Sequence, residues 1–187
     1  KPYMALAEKL GSLVGQLAHD NLTNISIEVE GAAAELNIKP ITGAVLAGFM
    51  RRFSDTVNMV NAPYLAKERG LDVREVRHER EGVYHTLLRV TVETSQGVRS
   101  VAGTLFGNAN PRLVEIFGIK VEADLDGPML YIVNTDAPGF IGAVGSALGE
   151  AGVNIGTFHL GPRETGGEAV VLLSFDDAVP AETIAQI

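Results

Sequence analysis

The segment Asn134-Thr-Asp136-Ala-Pro138-Gly139-Phe140-Ile141 carries the residue types that hold a small zwitterion. An acid and a proline lead into a glycine-containing helix start. Proline suits the first helical position, because the N–H it lacks would have no helical partner there. The amides of Gly139, Phe140 and Ile141 are then expected to be unpaired donors at the positive end of the helix. An anion docked on them gains about 0.3–1 kcal/mol from the dipole, and up to about 2 kcal/mol when partly buried. Asp136 beside them can satisfy an ammonium, so the two charges together suit an amino acid. The alternative is that Asp136 simply caps the helix. Downstream, Asn154 lies between Val153 and Ile155 at a strand start, where a side-chain amide offers both donor and acceptor. An ordinary turn residue is the alternative there.

Other chemistries are poorly provided for. Arg112, after Asn110-Pro111, with Arg99 and Lys120 as possible neighbours, can form a pocket for a phosphate-bearing anion. Arg51-Arg52 ends a helix, where the dipole already favours cations. The 21 glycines contain no G-x-G-x-x-G string of the kind that lets backbone amides approach a pyrophosphate. Gly142-Ala-Val-Gly145 falls inside a helix, where small residues serve close packing. Neither a phosphate loop nor a G-x-S-x-G elbow is present. His19, His78, His85 and His159 are too scattered for a local metal motif, and zero cysteines exclude thiol catalysis, disulfides and Cys-ligated metals. No catalytic residue, cofactor site or metal site is expected in this chain.

The elements that must position these residues fall into two groups. Leu6, Leu10, Leu13, Val14 and Leu17 recur at helical spacing after Pro2. Asn24–Glu30 alternates as a strand. A second helix is expected from Pro40, carrying Val45, Leu46, Phe49 and Phe53, and a short one over Tyr64–Glu68, stopped by Gly70. Alternating strands are expected at Val73–Glu79, Tyr84–Thr94 and Val98–Phe106, then a fourth β run over Leu113–Val121. The polar, turn-rich Asp124-Leu-Asp-Gly-Pro128 marks a joint. After it come a strand at Met129–Val133, a helix at Pro138–Ala151 and strands at Val153–Leu160 and Glu168–Phe175. A last helix opens at Pro180. The expected class is α+β: residues 1–126 form an α/β domain with a mostly antiparallel sheet, and residues 127–187 form a β-α-β-β-α unit. The latter is one strand short of the ferredoxin-like βαββαβ arrangement. A chain opening at Lys1 and stopping before that strand reads as a fragment cut at both ends.

Composition agrees with a folded two-domain protein. Of 187 residues, 46 % are hydrophobic and 20 % charged, a globular balance that argues against disorder. The net charge of −8 argues against nucleic acid as partner. No run of 18 apolar residues provides a membrane span. Of the 15 basic residues only Arg163 lies beyond Asp126, so the two parts differ sharply in charge.

Several strings carry a family resemblance. Lys1-Pro-Tyr-Met-Ala-Leu-Ala-Glu-Lys-Leu-Gly11, Val57-Asn-Met-Val-Asn-Ala-Pro63, Leu65-Ala-Lys-Glu-Arg-Gly70 and Gly103-Thr-Leu-Phe-Gly107 resemble the intervening domain of long-form D-3-phosphoglycerate dehydrogenases. Asp136-Ala-Pro-Gly-Phe-Ile-Gly142 and Gly149-Glu-Ala-Gly-Val-Asn-Ile155 resemble their ACT domain. The resemblance implies the regulatory and oligomerisation part of a cytoplasmic, NAD-dependent enzyme of L-serine biosynthesis, with NAD bound only in a catalytic part outside this chain. It further implies self-association through the ACT domain, with L-serine or a similar amino acid held at the interface by the positions of Asn134, Asp136 and Asn154. Asn134 stands where family members carry histidine or tyrosine, which keeps a purely structural oligomerisation module as the alternative. Arg112 matches a basic anion-binding position of some members.

Overall fold

The computed structural model describes residues 1–18, 22–80, 82–95, 97–135, 137–162 and 168–187. Helix α1, Pro2–Leu17, buries the stripe Leu6, Leu10 and Val14 completely. Strand β1, Asn24–Gly31, buries Ile25, Ile27 and Val29 on one face. Helix α2, Ile38–Met50, starts two residues before the expected Pro40. Asn37 caps it, its side chain accepting a hydrogen bond from the Lys39 amide at 3.1 Å. It ends at Met50, so Phe53 lies beyond the helix rather than on its face, and is 41 % exposed. Helix α3, Ala62–Glu68, opens with Pro63 and is followed by Gly70 at φ 73°.

Strands β2 (Asp72–His78), β3 (Thr86–Thr94) and β4 (Gly97–Phe106) fall close to their expected places. The fourth run does not. Leu113–Val121 was expected as one strand, but the structure has β5, Asn110–Ile116, and β6, Ile119–Asp124. Between them Phe117 (φ 50°) and Gly118 (φ 83°) both take left-handed conformations, the geometry of a two-residue hairpin turn. An aromatic residue in the first turn position hid this turn within an apolar run.

The sheet order is β2-β1-β3-β4-β5-β6, with β1 parallel to β2 and antiparallel to β3. Register assigns its two faces. Ile27, Val90, Val101 and Ile116 line up across β1, β3, β4 and β5, as do Val29, Leu88, Gly103 and Leu113 one pleat on. Helix α1 covers this apolar face. A Cβ on Gly103 would stand 2.6 Å from the Leu6 Cδ1, so the missing side chain makes room for the helix. On the opposite face Arg89 donates to the Glu115 carboxylate at 2.8 Å, and His78 Nε2 lies 3.2 Å from Glu28 Oε1.

The two long helices pack backbone to backbone. A Cβ on Gly11 would collide with the Val45 carbonyl, one on Gly48 with the Glu8 carbonyl, and one on Gly15 would sit 2.9 Å from the Phe49 carbonyl. Glu8 also pairs with Arg51 just past α2. Helix α2 is buried on nearly every side, which its apolar residues all round the helix anticipate.

By compactness the chain divides into Lys1–Gly118 and Ile119–Ile187. The polar joint at Asp124–Pro128 lies within the second unit, between β6 and β7. There, β7 (Met129–Thr135), α4 (Phe140–Glu150), β8 (Ile155–Pro162), β9 (Glu168–Phe175) and α5 (Ala181–Ile184) follow the expected β-α-β-β-α order. The antiparallel sheet runs β7-β9-β8, so β9 is central and β7 and β8 are edges. Val144 and Leu148 of α4 pack on Val171, Leu173 and Phe175 of β9, with Leu130, Ile132 and Ile155 around them. The whole is α+β, as expected. Among the described residues no helix is long and apolar enough to cross a membrane.

Two glycines separate the steric from the conformational constraint. Gly11→Ala should cost about 3 kcal/mol, the upper end of core overpacking, because the opposing atoms are backbone and cannot rotate away. At Gly118, where nothing lies within 4 Å of a would-be Cβ, alanine should cost only the left-handed penalty of about 1–2 kcal/mol. Gly118→Asn should recover most of that loss, whereas no polar substitution rescues Gly11. Denaturant midpoints at unchanged m-value measure both.

Candidate functional site

The turn before α4 differs in detail from expectation. Pro138 was expected as the first helical residue. Instead the helix begins at Phe140, with Gly139 as N-cap at φ 90°, a conformation that excludes the usual side-chain cap and favours glycine. The Phe140 amide, expected to be unpaired, donates to the Ala137 carbonyl at 3.3 Å, and the Ala143 amide donates to the Gly139 carbonyl at 2.9 Å. One of the three expected donors is therefore spent inside the turn. The Phe140 side chain packs against the core, while Ile141 is 44 % exposed. Asn134, exposed at the end of β7, turns its Oδ1 back to accept from the Thr135 amide at 2.8 Å. Asp136 lies outside the described residues.

Asn154, between α4 and β8, is exposed, and its Nδ2 donates to Asp176 Oδ2 at 2.7 Å. Asp176 was not singled out from sequence. Its only signal was its position just after a strand, and the contact depends on strand register. That register also fixes where Asn134 and Asn154 stand. Asn134 faces Ala169 across the β7–β9 ladder, whereas Ile155, next to Asn154, faces Phe175 at the other end of β9. At about 3.3 Å per residue, six residues of β9 separate the two by about 20 Å. One copy of the chain does not bring them together.

The basic residues are likewise dispersed. Arg99 pairs in register with Val92, on the helix-covered side, and its guanidinium lies 5.8 Å from the Phe117 ring. Arg112 pairs with Thr104, on the alternate side of β4, with its guanidinium 5.5 Å from the Phe106 ring. Five residues of β4 separate the two pairings, about 17 Å of strand. Lys120, exposed on β6, belongs to the second unit. Among the histidines, His78 contacts Glu28, His85 follows Tyr84 before β3, His159 is on β8 and His19 lies outside the described residues. Among the described residues no three His, Cys, Asp or Glu side chains gather as a metal site. Tyr64, exposed on α3, has its phenol pKa raised by the hydrogen bond and charge of Glu68, which disfavours the phenolate.

One feature was missed from sequence. Phe53, outside α2, is flanked by Arg52 and Arg69, whose guanidinium carbons lie 4.7 and 3.9 Å from its ring centroid. The adjacent Arg52-Phe53 pair was visible, but Arg69 joins it only through the fold.

Comparison with known proteins gives these features a family. The sequence model of the D-3-phosphoglycerate dehydrogenase intervening domain matches residues 1–117, and that of the ACT domain matches residues 129–187. A protein of Bacillus subtilis named D-3-phosphoglycerate dehydrogenase is 39 % identical over 177 residues, covering 94 % of this chain and 34 % of its own length. Proteins of the same name from Methanocaldococcus jannaschii and Synechocystis are 35 % and 33 % identical over the whole chain, which covers 36 % and 34 % of their lengths. The chain thus spans about a third of these relatives. It belongs to the D-3-phosphoglycerate dehydrogenase family, carrying that family's intervening domain followed by an ACT domain.

Proposed function

We propose that this chain is the regulatory and oligomerisation part of an NAD-dependent enzyme that oxidises 3-phosphoglycerate in the cytoplasm, and that it binds L-serine between two ACT domains. The observation that carries this reading is the separation of Asn134 from Asn154 at opposite ends of one sheet. An antiparallel pair of copies sets the Asn134 end of one against the Asn154 end of the other, so a ligand needing both sides is held only by a dimer. The β8 edge is suited to such pairing, since Phe158 (39 %) and Leu160 (51 %) leave apolar surface on a strand with an open ladder. Asp136 and the Gly139 and Ile141 amides would receive the ammonium and carboxylate, and Asn154 would reach the ligand from the second copy.

The effect on a distant catalytic part follows from linkage. Serine shifts activity only through its different affinities for two subunit arrangements, typically about 1–3 kcal/mol of coupling. NAD belongs to that catalytic part. A phosphate-bearing anion on Arg112 is a second proposed ligand; Arg99 and Lys120 act there only if another copy supplies them, since their strand positions differ.

The scaffold reading is favoured by one observation, the Asn154–Asp176 hydrogen bond, which already occupies the amide that serine needs. Binding separates the two readings. At a hundredfold excess over its Kd, L-serine should stabilise the dimer by about 2.7 kcal/mol, a Tm rise of several degrees, and give calorimetric heat. A scaffold gives neither.

Complementation tests the shared site directly. Asp136→Ala and Asn154→Ala chains should each dimerise without binding serine. Mixed, they form dimers with one intact and one doubly defective site, so calorimetry should recover one serine per mixed dimer. If the parent chain binds serine and no mixture recovers binding, the site lies within one copy.

A further inference from the structure

We propose that the first unit carries a second, separate small-anion site at the Arg52–Phe53–Arg69 cluster, for a metabolite with an oxyanion head, either phosphate or carboxylate, on a short apolar body. The pocket has a volume of about 220 Å³ and is lined by Leu22, Phe49, Met50, Phe53 and Leu71 together with the two arginines. It lies wholly within Lys1–Gly118, and none of its residues is among the effector or anion positions assigned above.

Three observations point to an anion. First, the two guanidinium carbons lie within 4.7 Å of one ring centroid, so two positive charges share a single aromatic ring. The ring's quadrupole holds both, but it does not neutralise them. Second, neither arginine has a carboxylate partner among the described residues, although Arg51, Arg74 and Arg89 each have one. Third, Arg52 is fixed rather than free. Its Nη1 donates to the Gly15 carbonyl at 3.1 Å and to the Ala18 carbonyl, satisfying the end of α1, and its guanidinium also lies 5.7 Å from the Phe49 ring. A guanidinium held in this way presents its remaining N–H groups without further loss of side-chain freedom, which favours an acceptor with two oxygens.

The volume limits the ligand. At about 30 Å³ per water, the space holds roughly seven waters. That suits an acid of a few carbons. Leu22, Leu71 and Met50 give the apolar body its surface, while the arginines select the charged head.

Calorimetry on the whole chain with inorganic phosphate, glycerol phosphate and malonate tests this and distinguishes the head groups. Binding of at least one probe is expected, weakening with added salt and falling about tenfold or more in Arg69→Gln. Arg74→Gln, whose guanidinium pairs with Asp72, should leave it unchanged. Phe53→Leu, which removes the ring but no charge, should weaken binding severalfold and guards against misfolding of the arginine variant. Glycerol phosphate binding more tightly than malonate assigns a phosphate head, and the reverse assigns a carboxylate. Absence of binding by all three probes up to about 10 mM, or equal affinity in Arg69→Gln and the parent chain, overturns the proposal.

Discussion

The pairing of β9 with both of its neighbours is the constraint on which the second unit depends. Val170, Val171, Leu172 and Leu173 are buried on both faces of the sheet, as a central strand requires. With β9 in the middle, β7 and β8 must be edges, and α4 must return the chain from one end of the sheet to the other. The end of β7 and the start of β8 are therefore held a strand length apart. Sliding β9 by one residue would turn Leu173 and Val171 away from Val144 and Leu148 of α4 to the opposite face, so this separation is fixed by the packing of the core. The proposed dependence of the effector site on a second copy is a direct consequence of that geometry.

In the first unit the corresponding constraint is close approach. Glycines on both α1 and α2 bring the two backbones into contact, and Gly103 lets α1 settle onto the sheet. The last turn of α1 then lies beside the end of α2. That proximity lets Arg52 reach the Gly15 and Ala18 carbonyls and orients it against Phe49 and Phe53. The charged pocket and the helix crossing are thus parts of one arrangement. The opposite face of the sheet is organised by charge, with Glu28, His78, Arg89 and Glu115 linked across β1, β2, β3 and β5.

Much of this was legible from residue patterns. The stripe in α1, the alternation in β1 and β3 and the β-α-β-β-α order need only local periodicity, and the structure follows them. The errors occurred where one residue's local signal conflicted with its neighbours. Phe117 looked like strand because it is apolar and aromatic, yet it occupies a left-handed turn position beside Gly118. Phe53 continued the helical spacing of α2, although the helix had already ended. Pro138 carried a helix-start signal, but the positive φ of Gly139 set the start after it.

The sequence alone determined the element types and the α+β class, and offered Asn134, Asp136 and Asn154 as candidates to receive an ammonium or a carboxylate, because those readings follow from side-chain chemistry and from spacings of a few residues. Only the tertiary structure decided which of those residues share a neighbourhood. Asn134 and Asn154 were drawn apart, Arg99 and Arg112 were assigned to opposite faces, and Arg69 was brought to Phe53. The reason is that strand register and helix crossing depend on contacts between segments far apart in the chain, whose burial is settled only when the whole core packs.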